Sequence, residues 1–295
     1  MHIHPRQAFL SHMAQTSPNP MAIHITRASG NYLYDESGKK YLDLIAGISV
    51  CNVGHQHPKV VEAVQKQAAE FMHVMVYGET VQTPQSNYAC ALVSKLPENL
   101  DCCYFVNSGG EAIDGAMKLA KRVTGKSDFV ALTDAYHGSS QGPLSLMSND
   151  YYSQAYRPLL PSVHFVDQND IESLNNIPWS RVAGVVVEVI QAERGVKPCD
   201  VDFLKALREK CDEHCALLVF DEIHKMTEWK SWLKGVYDGK APGQSVFITG
   251  SARMDTFRQT GESLAGRYFR LRLHPLSVRE WSEAQQVSPH EALTH

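Results

Sequence analysis

The hydrophobic period of the chain changes twice. After a polar lead-in, NYLYDESGKKYLDL reads as two short β segments on either side of residues 35–39, with Gly38 at the turn. HPKVVEAVQKQAAEFMHV and TPQSNYACALVSKLP then place apolar residues at helical spacing, the second ending at a proline. From Cys103 onward strand and helix alternate: CYFVNS, EAIDGAMKLAKRV, DFVALT and, after a loop, VHFVD, VAGVVVEVI, VDFLKALREKCDEH and ALLVFDE. Strands that are apolar on both faces need cover on both faces, so the pattern predicts an α/β fold with a mostly parallel sheet between helices. Ligands sit at the carboxyl ends of the strands in such sheets. That rule singles out residues 107–110, 134–138, 188–193 and 221–224. Farther on, EWKSWLKGVYD puts Trp229, Trp232, Leu233 and Val236 on one helical face, and SVFITGS is one more short strand. GRYFRLRLHPLS alternates Phe269, Leu271 and Leu273 with Arg270, Arg272 and His274, a half-buried strand with a solvated basic face.

Composition narrows this only modestly. With 295 residues, 43% hydrophobic and 20% charged, the chain has the make-up of a soluble globular protein with one large core or two modest ones. A net charge of −4 gives no global attraction to nucleic acid or anionic membrane. No apolar run exceeds strand length, so neither a leader nor a membrane span is expected. The seven cysteines form no CxxC pair and are expected to be reduced, mostly buried thiols, which points to the cytoplasm. His214 between Cys211 and Cys215 lacks a second ligand pair at zinc spacing, so no metal is expected there.

The candidate chemistry lies in the strand-end segments. Ser108, Gly109 and Gly110 precede a helix, where free backbone N–H groups and the helix dipole suit a phosphate; a plain glycine cap is the alternative. Tyr136 and His137 follow the DFVALT strand, Glu188 and Glu193 follow VAGVVV, and Asp221 ends LLVF. Taken together, FVNSGGEAIDGAMKLAKRVTGK, TDAYHGSS, VVVEVIQAERGV and LLVFDEI resemble, in order and spacing, the class III pyridoxal-phosphate aminotransferases of the acetylornithine, ornithine and 4-aminobutyrate type. YLDLIAGISVCNVGHQHPKVVEA is similar to that family's N-terminal region. The resemblance runs from about residue 5 to Ile223.

The resemblance implies fold type I, pyridoxal 5'-phosphate as cofactor, an amino acid and a 2-oxo acid as substrates, and a homodimer. It also assigns residues. Ser108, Gly109 and Gly110 hold the phosphate, and Tyr136, with His137 beside it, stacks on the ring. Asp221 pairs with the pyridinium nitrogen, supported by Glu188. Ile223 covers the opposite ring face, His224 takes the position that contacts the ring hydroxyl, and Glu193 gates the substrate pocket. This sequence departs from the family pattern in having Gly110 for Thr or Ser, Val189 for Pro and His224 for Gln.

A larger departure follows Asp221. In the family a Schiff-base lysine lies roughly thirty residues later, at the end of the next strand. That count reaches FITGSAR and Gly250, whereas Lys225, Lys230, Lys234 and Lys240 come too early. The resemblance therefore implies an aminotransferase relative with impaired catalysis. Without the family's C-terminal part, apolar surface should be exposed on the N-terminal segment, and the dimer would lose support.

DEIHKMTEWKSWLKGVYDGK, VFITGSARMD and ESLAGRYFRLRLHPLSVREW instead resemble the second half of an AAA-type ATP-binding protein, over about residues 217–281. In that alternative Asp221 and Glu222 would serve magnesium and the attacking water, Ser251 would lie at a sensor strand, and Arg267 would approach a neighbour's nucleotide. The matching phosphate loop is missing. AKRVTGKS fits a relaxed pattern around Lys126, but a helix precedes it and a strand follows, so Gly125 reads as a helix C-cap and Lys126 as surface. The expected organisation is 1–80 as the N-terminal segment of a small domain, 81–223 as a partial cofactor-binding domain, 224–281 as an ATPase-like fragment and 282–295 as a polar tail. The third reading is a fusion product in which neither half is complete.

Overall fold

The computed structural model describes residues 3–75, 78–96 and 100–223, together with the backbone of Val246–Ile248. His224, Ser251, Arg267, lysines 225 to 240, the helix with Trp229 and Trp232, the strand around Phe269 and the polar tail all lie outside the described residues. These residues form two compact units, one up to Thr80 and one from Val81.

In the first unit, helix α1 (Pro5–His12) precedes an antiparallel sheet of β1 (Ile25–Ser29), β2 (Tyr32–Asp35) and β3 (Lys40–Leu42), in the order β1-β2-β3. The predicted hairpin is β2 and β3, with Tyr34 opposite Lys40 and Gly38 at φ +84°. Asp35 explains the turn. Its carboxylate accepts hydrogen bonds from Ser37 N, Ser37 Oγ, Lys39 N and Tyr41 Oη. These hold the Asp35 carboxyl down at about 2, the bonds from Ser37 and Tyr41 being the largest causes. β1 was not expected from the sequence. The short turn α2 (Ala46–Ser49) and α3 (Pro58–Glu70) complete this unit.

The second unit opens with α4 (Thr83–Val93) and α5 (Gly109–Thr124), followed by β4 (Asp128–Leu132), α6 (Gln141–Ser145), α7 (Asp150–Ser153), β5 (Val163–Val166) and β6 (Val182–Glu188). A small hairpin of β7 (Ile190–Gln191) and β8 (Lys197–Pro198) leads to α8 (Val201–Glu213), β9 (Leu217–Asp221) and β10 (Val246–Ile248). The sheet is parallel, in the order β10-β9-β6-β4-β5. SVFITGS therefore supplies the predicted further strand, with Ile248 beside Phe220.

The alternation of side chains along these strands builds two cores. Phe129, Ala131, Val186 and Val219 pack with Ile113, Ala116, Met117 and Ala120 of α5. Val130, Leu132, Val185, Val187, Leu218 and Phe220 pack with Phe203, Leu204, Leu207 and Cys211 of α8.

Three local expectations need correction. CYFVNS forms no strand: Tyr104 and Phe105 are 71% and 40% exposed, and Phe105 stacks on Tyr88 instead of joining a ladder. An alternating pattern makes a strand only where another strand offers its edge. The cysteines are not mostly buried. Cys199 and Cys211 are, and burial pushes their thiols up to about 11 and about 12, but Cys90, Cys102 and Cys215 are exposed. Lys126 is half-buried rather than on the surface, because its ammonium donates to the His214 carbonyl. The C-cap reading of Gly125 does describe its geometry: it sits at φ +69° and donates its N–H to Lys121 O. Among the described residues no helix is long and apolar enough to cross a membrane.

Candidate functional site

The carboxyl ends of β4, β6 and β9 meet around two acidic residues. Glu188 and Asp221 are direct partners in the parallel ladder, which sets two carboxylates side by side at the carboxyl ends of β6 and β9. Both are almost fully buried, at 1% and 5% exposure. A buried carboxylate needs hydrogen-bond donors, and the loop after β4 supplies them from consecutive residues. Tyr136 donates its backbone N–H to Glu188 Oε2 at 3.0 Å, and His137 Nδ1 lies 2.8 Å from Asp221 Oδ2. The 136–137 dipeptide thereby ties β4's loop to the adjacent strand β6 and to β9 beyond it. The His137 ring is buried as well, and its Nε2 has no hydrogen-bond partner among the described residues.

The loop reaches this position through unusual backbone angles. Asp134 has φ +58°, with its N–H on Ser148 Oγ, and Gly138 has φ +124°. A Cβ on Gly138 would lie 2.9 Å from Gly110 Cα, so only glycine allows the loop to touch the start of α5. Ser140 secures the same contact by donating from Oγ to Asp114 Oδ2 at 2.7 Å.

Helix α5 begins as the sequence suggested. Ser108 is its N-cap, accepting from Glu111 N at 3.2 Å, while Glu111 Oε2 accepts from Asn107 N at 2.7 Å. This reciprocal cap leaves first-turn amides outside the helical ladder, at the positive end of a 16-residue helix. A Cβ on Gly110 would meet Ser140 Oγ at 3.2 Å, so glycine keeps this end slender where the loop crosses it.

On the open side, Tyr136 is 38% exposed and stands edge-on to Tyr152, the ring centroids 5.5 Å apart. Tyr152 Oη donates to Glu193 Oε2 at 3.1 Å, and the neighbouring Arg194 Nε approaches Asp134 Oδ2 at 3.8 Å. Ile223 is fully buried and belongs to the apolar cluster with Phe220 and Val187. Glu222 has φ +52°, a turn away from the strand direction directly after Asp221.

The fold thus groups Ser108, Gly109 and Gly110 with the 136–138 loop, and Tyr136 and His137 with Glu188 and Asp221. Glu193 joins them through Tyr152. Sequence reasoning missed Tyr152, Ser140 and Asp114. The His137–Asp221 pair spans 84 positions, and only the parallel topology brings it together.

The second unit thus carries a side-chain-capped helix N-terminus, a part-exposed aromatic ring and a buried carboxylate at the carboxyl ends of its strands. Comparisons with known proteins bear on the family and the fold. A profile of the family described as aminotransferase class-III matches residues 13–225, and one described as an AAA domain matches residues 185–282. The acetylornithine aminotransferase of Halalkalibacterium halodurans is 40% identical over 200 residues, covering 68% of this chain and 51% of that protein. The [LysW]-aminoadipate semialdehyde/glutamate semialdehyde transaminase of Sulfurisphaera tokodaii is 38% identical over 200 residues, again covering 68% of this chain and 51% of that protein. The chain spans about half the length of the curated relatives it matches. Among solved structures, an ornithine aminotransferase from Toxoplasma gondii superposes with a TM-score of 0.61 at 24% identity, covering 73% of this chain and 52% of that one. An (S)-enantioselective omega-transaminase from Thermomicrobium roseum gives a TM-score of 0.67 at 21% identity, covering 73% of this chain and 55% of that one. At these identities the superpositions speak to fold.

Proposed function

Because the chain belongs to the aminotransferase class-III family, we propose that its second unit binds pyridoxal 5'-phosphate and descends from an enzyme moving an amino group between an amino acid and a 2-oxo acid. The observation that carries the reading is the buried pair His137–Asp221 beside Glu188. Sheltered from water and held in place by His137, the Asp221 carboxylate is suited to hold a protonated ring nitrogen.

The residues present fit the group. The glycine contact between loop and helix would be filled by any Cβ at Gly138, which keeps the start of α5 accessible to a phosphate. Ser108, Gly109 and Gly110 would hold that phosphate, Asp221 the ring nitrogen and Tyr136 one ring face. When bound, the cofactor supplies an electron sink that acidifies the C–H bond next to the substrate nitrogen. The protein's part is to orient and exclude water. His137 fixes the Asp221 carboxylate, Glu188 fixes the backbone at Tyr136, and Glu193 offers an acceptor to a cationic group of the amino donor.

The reading includes a loss. Lys240 is the last lysine of the chain, so the strand Val246–Ile248, parallel to β9, is followed by no amine to attach the cofactor and shuttle a proton. Binding without efficient turnover follows. Titration with pyridoxal phosphate should produce a saturable absorbance and fluorescence change that dialysis reverses, with no lysine adduct after borohydride treatment. A stable adduct on one lysine would overturn the claimed loss; absence of binding would overturn the whole reading.

The AAA match over residues 185–282 supports a second reading, in which Asp221 and Glu222 serve magnesium and ATP. Against it, Gly125 caps a helix C-terminus and Lys126 is engaged by the His214 carbonyl, so AKRVTGKS has no phosphate-loop context. Magnesium-dependent ATP binding abolished by Asp221→Ala would favour this second reading over the first.

A further inference from the structure

Tyr152 touches both ends of the candidate site. Its ring stands at 71° to that of Tyr136, and its hydroxyl donates to Glu193. The turn that carries it is well anchored: Asn149 Oδ1 accepts from Tyr151 N at 2.9 Å, Ser153 Oγ donates to Asn149 O at 3.0 Å, and Ser153 is fully buried. Tyr151 adds a second edge-on ring, 5.0 Å from Tyr152, while being 87% exposed itself.

Glu193, by contrast, is exposed and sits between β7 and β8 on a loop that turns at Gly195, φ +85°. An exposed glutamate samples many rotamers, and fixing it costs side-chain entropy. The loop directs its two adjacent charges apart, Glu193 to Tyr152 and Arg194 to Asp134. Burial and the Glu193 bond both raise the Tyr152 phenol above its ordinary range, so it stays a donor at neutral pH.

We propose that Tyr152 is a positioning residue: it couples the aromatic platform at Tyr136 to Glu193 and holds that carboxylate in place to accept a second ammonium group on the amino donor. This rests on the pyridoxal-phosphate reading. A donor with two amines would be distinguished from its one-amine analogue by Glu193, and the distinction would depend on the Tyr152 hydroxyl.

The test uses stable phosphopyridoxyl adducts, which need no lysine. Phosphopyridoxyl-ornithine and phosphopyridoxyl-norvaline differ by the side-chain amine, and calorimetry gives the affinity of each, and of free pyridoxal phosphate, for the full chain and for Tyr152→Phe, Glu193→Gln and the double variant. The full chain should prefer the ornithine adduct by roughly fivefold, as a partly exposed charge pair with one fixed partner allows. Tyr152→Phe keeps the ring and should lower the preference to below about twofold, with free pyridoxal phosphate binding almost unchanged. The double variant should show no further loss.

An unaltered preference in Tyr152→Phe overturns the proposal, and so does an equal loss for all three ligands, which would mean packing alone. Equal binding of the two adducts by the unaltered chain, with pyridoxal phosphate still bound, overturns it while leaving the cofactor reading intact. Failure of every ligand to bind removes both.

Discussion

Helices α3 and α5 carry similar amphipathic stripes and meet different fates. On α5, Ile113, Ala116, Met117 and Ala120 are buried against the sheet, whereas on α3, Val60, Val61 and Val64 are 43%, 38% and 62% exposed. The contrast extends to the units that hold them. No described residue before Ile113 is buried, while β4, β6 and β9 are buried along their whole length. A helical period says that a face wants cover; it does not say what covers it. In the second unit the cover is the parallel sheet, and the same burial that stabilises β9 desolvates Asp221 at its end. The candidate site therefore draws its chemistry from the better-packed unit.

The sharpest way to break this comparison is to delete the same kind of group in each unit. Leu218→Ala in β9, at 1% exposure, should cost about 2–5 kcal/mol. Val64→Ala should change stability by no more than about 0.5 kcal/mol. Urea unfolding followed by circular dichroism measures both, and equal losses would show that α3 is covered in solution.

The next effect lies in the site itself. His137→Leu removes a hydrogen-bond partner of a buried carboxylate, for a loss of about 1–3 kcal/mol in stability and of roughly tenfold or more in pyridoxal-phosphate affinity. His137→Asn, which retains a donor, should recover part of the affinity. If Asn and Leu behave alike in the ligand titration, His137 contributes volume rather than its hydrogen bond to Asp221.

Two glycines sharpen the difference between local geometry and close approach. Gly138→Ala combines a strained φ with a 2.9 Å clash on Gly110, and should cost about 1–3 kcal/mol and weaken phosphate binding. Gly125→Ala has the left-handed φ but open space around it, so about 1 kcal/mol is expected with ligand affinity unchanged. Thermal unfolding with and without inorganic phosphate separates the two.

These contrasts show where the sequence is readable. The strand and helix alternation of residues 128–221 is local, and the observed elements follow it closely. The strand-end rule selected Tyr136, His137, Glu188 and Asp221, and parallel pairing then set them within hydrogen-bond reach. CYFVNS failed because strand formation needs a neighbour that no local pattern specifies. Tyr152 was invisible for the same reason: it meets Glu193 across 41 positions through a four-residue helical turn. Asp114 escaped notice because a carboxylate on a helix surface reads as solvated until a loop serine arrives at it.

The smallest expected effect again sets one unit against the other. Asp128 begins β4 fully buried, bonded to His164, Ser127 and Arg181. Burial alone would raise its carboxyl above 3.8, but the bonds from His164 and Ser127 outweigh it and the net shift is downward. Asp35, half-buried at the end of β2, is lowered to about 2 by hydrogen bonds from Ser37 and Tyr41. A folded-state value below the unfolded one means that each carboxylate contributes stability above pH about 4, lost as pH falls through the folded value. For Asp35 that window lies between about 4 and about 2. Both groups thus predict acid weakening of the fold below pH 4, but through different means. Asp128→Asn should move the acid midpoint of the second unit's sheet, followed by hydrogen exchange of β4 and β6. Asp35→Asn should alter only exchange at the β2–β3 hairpin, because its bonds are local and solvent competes for them. If Asp35→Asn also shifts the exchange of β4 and β6, the two units share one cooperative transition, and the difference in packing between α3 and α5 does not mark a difference in independent stability.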